Sequence, residues 1–197
     1  MATFTQTISN GNYDSSEYAA PAAASLTTNP VAISAGTRWG LFYFTNVTVP
    51  SGATVSSATL SLNIVNTSND DPNLDIYCND VDNASAPSTG VGDISARALT
   101  TAKATWNATG IGAGTKTSAD FATAVQEVID RAGWASGNAL AVIFDGLAAT
   151  SFQYYTTEQG SGFEPSISIT YTTPGQPTIA RTRLVPGMGS AHGHQGW

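Results

Sequence analysis

This chain is short of charge, of sulfur and of basic residues. Only 11% of its 197 residues are Asp, Glu, Lys or Arg, well under the roughly 25% usual for soluble domains. A surface with so few ions must be coated with Thr, Ser, Asn and Gly, as in extracellular and virion β-proteins. Seven basic residues stand against 14 acidic ones, for a formal net charge of −7. The seven form no patch, which argues against nucleic acid as a partner because phosphate binding runs on Lys and Arg. A single cysteine, Cys78, excludes an intrachain disulfide. Between Tyr77 and Asn79 it reads as a small buried hydrophobe. No apolar run reaches the roughly 20 residues of a membrane span. Residues 1–8 carry neither the basic nor the apolar region of a signal peptide. The expectation is a chain that stays in the cytoplasm or leaves it inside something assembled there, and a virion is of the second kind.

Catalytic residue types are equally scarce. The two histidines, His192 and His194, lie in the last six residues, so a Ser-His-Asp constellation would have to draw its base from the C-terminus. No Gly-x-Ser-x-Gly turn occurs. Gly110, Gly112 and Gly114 lack the Lys-Ser/Thr that follows a phosphate-cradling loop. The expected protein is not an enzyme.

What is present is β-pattern. Residues 37–64 organise the remainder: an aromatic-rich run from Arg38 to Phe44, a bridge through Val47, Val49 and Pro50, and a run in which Ala58, Leu60, Leu62 and Ile64 alternate with Thr59, Ser61 and Asn63. Large flat side chains suit a pleated surface, and strict alternation marks a strand with one buried face. The closeness of the two runs predicts one antiparallel sheet. The apolar run at 139–144 and the alternating run at 166–171 are then the strands that cover it, and shorter strands are expected at 3–9, 13–18, 31–34, 74–77 and 152–156. Residues 118–132 carry the one convincing helix pattern, with Ser118 as cap and Phe121, Val125, Val128, Ile129 and Ala132 on one stripe. Gly133 ends it, and Trp134 anchors it at one open end of the body. The predicted class is mainly β: an antiparallel, jelly-roll-like β-sandwich over residues 1–173 with one amphipathic helix.

The last 24 residues differ from the body. All 14 acids and five of the seven basic residues precede position 174, so the body carries −9 and the tail +2. Pro174, Pro177 and Pro186 with five glycines deny residues 174–197 regular structure. Ile179, Arg181, Arg183, Leu184, Val185, Met188 and Trp197 are nonetheless anchors without a core of their own, and they are the candidate partner-binding residues of an extended arm. Such an arm spans on the order of 70 Å and suits the tying together of subunits in shells and tubes. The His192-Gly193-His194 triplet can offer two imidazoles to a metal only if symmetry supplies further ligands.

Two other sets of residues invite a ligand. Asp70, Asp71, Asp75, Asp80 and Asp82 crowd one turn-rich segment, and oxygen-rich loops at the end of a sandwich are where Ca²⁺ sites form. Asp and Asn are also simply good turn formers, so no cofactor is expected, and Ca²⁺ is the ion these loops would take if they held one. Trp39, Trp106, Tyr154 and Tyr155 are the rings on which a sugar could stack, although rings in strands more often belong to the core.

The order of these motifs resembles a known family. The run Arg38–Phe44, the Val-x-Val-Pro-x-Gly-Ala-Thr-Val-x-x-Ala-x-Leu segment at 47–60, Thr105-Trp106, a helix ending before Trp134, the strand region 137–144, and Glu164-Pro165-Ser166-Ile167 leading to Tyr171 together resemble the DNRLRE-type β-sandwich domains. The resemblance covers about residues 1–173. It implies a jelly-roll-like sandwich of the kind found in bacterial surface proteins, carbohydrate-binding modules and tailed-phage virion proteins. The expected function is therefore that of a structural virion protein of a tailed bacteriophage, a capsid decoration or tail-associated subunit. It would bind copies of itself and other virion proteins, with no nucleic acid and no membrane. The competing expectation is a carbohydrate-binding module adhering to host glycans.

Overall fold

The computed structural model describes residues 1–18, 21–35, 38–65, 71–147 and 152–173. The expected arm at 174–197 and Asp70 lie outside them. Twelve strands and one helix follow in the order β1 (Ala2–Thr7), β2 (Asp14–Tyr18), β3 (Ala24–Ser25), β4 (Val31–Ile33), β5 (Arg38–Phe44), β6 (Thr54–Ile64), β7 (Asn73–Cys78), β8 (Ala104–Asn107), β9 (Gly114–Thr117), α1 (Ala122–Ile129), β10 (Leu140–Gly146), β11 (Phe152–Tyr154) and β12 (Ser166–Thr172). Sheet A runs β1-β12-β6-β11-β4, with β9 also paired to β6. Sheet B runs β3-β2-β5-β10-β7-β8. The protein is a mainly β, antiparallel β-sandwich with a single helix among the described residues.

The alternation read in β6 and β12 is the one observed. Ala58, Leu60, Leu62 and Ile64 are buried, as are Ile167, Ile169 and Tyr171, while the residues between them are half-buried. The two strands pair directly, with Leu60 opposite Ile167 and Ala58 opposite Ile169. The inference that β5 and β6 share a sheet does not hold. β5 lies in sheet B, between β2 and β10, and β6 lies in sheet A. The physical reason is the bridge: Val47, Val49 and Ala53 are fully or almost fully buried, so residues 45–53 cross the end of the core rather than turning back. The supposed cover strands are instead partners, 139–144 of β5 and 166–171 of β6.

The interior between the sheets holds Phe42, Phe44, Leu60, Leu62, Leu74, Ile76, Phe144, Phe152 and Tyr154, joined by the helix. Trp106 packs edge-on against Phe152 at 5.1 Å, and Tyr154 lies 5.2 Å from Phe42. Fully burying side chains of this size contributes roughly 1.5–3 kcal/mol each.

The helix is shorter than its pattern suggests. It begins after Phe121 with no side-chain cap, because Ser118 directs its hydroxyl elsewhere: the oxygen accepts from Leu60 N at 2.9 Å and its proton goes to Ala119 O at 2.8 Å. Asp120 satisfies the first helical N–H, that of Ala122, at 2.9 Å. Ala132, the last residue of the expected stripe, is exposed beyond the helix. Position is as expected: α1 packs on β6 and β7, one strand from each sheet. Its Gln126 side chain accepts from Val55 N at 2.7 Å and donates to Ala53 O at 3.0 Å. Trp134 anchors the following turn by donating to Val49 O at 3.0 Å.

Sheet B has a second core on its outer face. Leu41, Tyr43, Ala139, Ala141 and Ile143 pack there beneath Ala84, Ile94 and Ala24. Strand β10, with Val142 and Phe144 inward and Ala141 and Ile143 outward, is therefore buried on both faces, which explains its unbroken apolar sequence. The covering segment is fastened by Glu17, fully buried on β2. Its carboxylate accepts from Ile94 N at 2.8 Å, Ser95 N at 2.9 Å, Ser95 Oγ at 2.5 Å and Ala22 N at 3.3 Å. Burial pushes this carboxyl up, but the hydrogen bonds outweigh it and its pKa is lowered overall. Arg97 holds the same segment to Ser85 O, Asp93 O and the Asp93 carboxylate.

Candidate functional site

Beyond the covered cluster the outer face of sheet B continues through Trp39 and Asp145, both half-buried, to Asp75. The register places Trp39 of β5 opposite Asp145 of β10, Asp145 opposite Asp75 of β7, and Asp75 opposite Thr105 of β8. Residues directly opposite one another point to the same face with Cβ atoms about 5 Å apart. Four strands thus line up a ring, two carboxylates and a hydroxyl in a single row, here called the shelf. Tyr77 and Lys103 flank it.

Asp75 is the structural centre of the row. It is 2% exposed, and both its oxygens are occupied: Lys103 Nζ donates to Oδ2 at 2.5 Å and Thr105 Oγ1 to Oδ1 at 2.6 Å. The ammonium also lies 5.6 Å from the Tyr77 ring centroid. The hydrogen bond to Asp75 raises the Lys103 pKa. Asp145 is different. It is half-buried and makes no hydrogen bond or ion pair among the described residues. Burial and then the Asp75 charge raise its pKa above the ordinary carboxylate value, with Lys103 pulling the other way. A cation arriving beside Asp145 would relieve both effects. Trp39, half-buried beside it, offers an aromatic edge and an indole N–H that no described residue uses.

The four candidate sugar-stacking rings do not form one platform. Trp106 is 6% exposed and Tyr154 is fully buried, both inside the sandwich, so neither can receive a ligand there. Period-2 placement sends them to the inner face. Tyr155 is half-buried on the sheet A side, with its N–H on Asn63 O and its ring edge-on to Phe163 at 5.1 Å. Trp39 alone belongs to the shelf.

The aspartates of 66–83 are also dispersed. Asp71 accepts from Gly110 N at 2.7 Å and Ile111 N at 3.1 Å, pinning the glycine loop. Asp80 and Asp82 share Arg131, at 2.5 Å to Nη1 and 2.7 Å to Nε, and so hold the turn after α1. Asp75 serves the shelf. Among the described residues no group of three or more His, Cys, Asp or Glu side chains converges as a metal site would require; Asp71, Asp80 and Asp82 fasten loops and turns. The His192 and His194 pair and the partner-binding residues Ile179 to Trp197 lie outside the described residues.

A further buried acid escaped notice in the sequence. Asp14 of β2 is 1% exposed and accepts from Thr157 N at 2.6 Å and Thr157 Oγ1 at 2.8 Å through one oxygen. Its other oxygen, like the Tyr154 hydroxyl, has no partner among the described residues. Burial raises its pKa to about 7 against the Thr157 hydrogen bonds. The Cys78 thiol is fully buried, and burial pushes its pKa far up, so no thiolate is on offer at neutral pH. Asp145 and Asp14 could be singled out only by strand register. Each ends or begins a strand and looks like a turn acid in the sequence.

No protein-family model matches this chain, and no curated protein matches it either.

Proposed function

We propose that this chain is a non-catalytic structural subunit of a virion, of the tailed-bacteriophage kind, whose sandwich is tied to neighbouring subunits by residues 174–197. The observation that carries the reading is the contrast between a body that closes on its own side chains and a tail that keeps apolar anchors. Both cores are filled by strands, helix and cover, and β12, which ends at Thr172, is paired on both sides by β1 and β6. Ile179, Leu184, Val185, Met188 and Trp197 follow a finished body. The uncharged hydroxyl-rich coat, with Thr and Ser alternating along β1, β6 and β12, suits a particle surface crowded with copies of itself.

The test is removal of residues 174–197. The truncated chain is expected to keep its melting transition and to drop out of particles assembled with its partners, as seen by electron microscopy and by the protein content of purified particles. Full incorporation of the truncated chain would refute the arm. The carbohydrate-binding alternative keeps Trp39 and Tyr155, on different sheets, as its rings.

A further inference from the structure

We infer that the shelf on sheet B is the receptor for the C-terminal segment of a neighbouring copy, with Arg181 or Arg183 seated between the Trp39 indole and the Asp145 carboxylate. The inference rests on the arm reading above and names where the arm lands.

Chemistry selects the occupant. Asp145 is the half-buried carboxylate of the row that lacks a cation, whereas its neighbour Asp75 has Lys103. A guanidinium can hydrogen-bond a carboxylate through two parallel N–H groups while lying flat on an aromatic ring. The protein already sets a guanidinium over a ring elsewhere, with Arg38 Cζ 5.2 Å from the Tyr18 ring centroid. The body carries −9 and the segment +2, so the net charge of the segment complements that of the body on which the shelf lies.

Geometry puts a shelf within reach of the arm. β12 finishes with Thr172 opposite Thr54, at the end of the sandwich where Gln126 of α1 binds Val55 and Ala53. β5 reaches that end at Phe44, which pairs with Leu140. Trp39 and Asp145 lie at the opposite end of the same two strands, about 17 Å away, and on the other sheet. Residues 174–183 can extend at most about 36 Å, and the arm reading assigns the shelf they reach to a neighbour. A copy stacked end to end presents its shelf close to where the segment leaves. A contact of this kind joins two different surfaces, so it builds rings or filaments and not two-fold dimers.

The test uses the full chain in sedimentation velocity over a concentration series. The Arg181→Glu/Arg183→Glu pair, Asp145→Lys and Trp39→Ala are each expected to weaken self-association at least tenfold. Joining Asp145→Lys to Arg181→Glu/Arg183→Glu is expected to restore it. Isotope-mixed cross-linking should place residues 181–183 against residue 145 of a different copy. Asp145→Asn, isosteric and checked by an unchanged melting transition, guards against misfolding and should weaken association in the same direction. Three results would overturn the inference. In the first, loss of residues 174–197 abolishes association while Asp145→Lys and Trp39→Ala leave it intact, so the arm survives and the receptor does not. In the second, cross-links form only within one copy, or no association occurs at any concentration, and the arm reading loses its support too. In the third, the full chain captures a glycan in a way that Trp39→Ala abolishes while association is unchanged, making sugar the occupant.

Discussion

Asp14 of β2 reaches across the sandwich to Thr157, taking the backbone N–H at 2.6 Å and the hydroxyl at 2.8 Å on one carboxylate oxygen. The contact ties sheet B to the turn that follows β11 of sheet A. It leaves the second oxygen buried without a partner among the described residues, and burial gives this carboxyl a pH response of its own.

With its pKa raised from 3.8 to about 7 by burial, Asp14 binds its proton more tightly folded than unfolded. The folded state therefore gains stability as pH falls from about 7 toward 4, and that gain is lost as pH rises through 7. A shift of about three units corresponds to at most about 4 kcal/mol. Asp14→Asn is expected to raise the melting temperature at pH 8 and to flatten its dependence between pH 4 and 7. Thermal unfolding at pH 4.5, 6 and 8 measures both; an unchanged profile would show that this carboxyl does not titrate in the window.

Glu17 acts in the opposite sense. Its lowered pKa makes its contribution fully present above the ordinary value of 4.5 and lost as pH falls through the folded value. Glu17→Ala leaves the N–H groups of Ile94 and Ser95 without their acceptor, at a cost of about 2–4 kcal/mol. Hydrogen exchange should show faster exchange at 94 and 95 while the amides of β6 and β12 keep their protection. Uniform loosening of all strands would contradict a role confined to the cover.

Two glycine substitutions separate crowding from backbone preference. A Cβ at Gly146 would stand 2.5 Å from Ser34 C and 2.7 Å from Ser34 O, backbone atoms that cannot swing aside. Gly146→Ala is expected to cost about 2–3 kcal/mol. At Gly110 a Cβ meets nothing within 4 Å, but φ is +66°, so Gly110→Ala should cost only about 1 kcal/mol of strain. Equal losses in chemical denaturation would reject the distinction.

Cys78 should be silent to thiol reagents in the native protein. It is fully buried, with its pKa pushed far up. Labelling with a chromogenic disulfide should give no signal before unfolding and one equivalent after it. Rapid native labelling would mean that β7 opens.

The sandwich was legible because β6 and β12 each bury one face, and period-2 alternation records that directly. The helix was legible from Phe121, Val125, Val128 and Ile129, all buried, but not its start, since Ser118 carries a good capping side chain that Leu60 claims first. Sheet membership was misread for β5 and β6 because proximity in sequence suggests a hairpin. The nine residues between them exceed the usual two to five of hairpin loops, and their buried valines were the clue. Trp106 and Tyr154 were misjudged as accessible because ring chemistry does not reveal which face of a strand is inward. β9 escaped because Gly114, Thr115, Lys116 and Thr117 carry no apolar pattern; its pairing with β6 is made by backbone. The shelf was half visible: Trp39 and Asp75 stood out, but Asp145 joins them only through register.

The crossing at residues 45–53 has a further outcome for how the molecule comes together. A cut there would leave β1 and β4 of sheet A with β2, β3 and β5 of sheet B on one fragment, and the remaining strands of both layers on the other. Neither piece could shield an oily surface alone, and no strand pair formed by near neighbours in the chain can act as a self-sufficient seed at this crossing. Assembly of the body therefore waits on encounters between distant parts of the polypeptide, which makes for a slow, all-or-none transition and for two fragments that recover the native shape only when mixed.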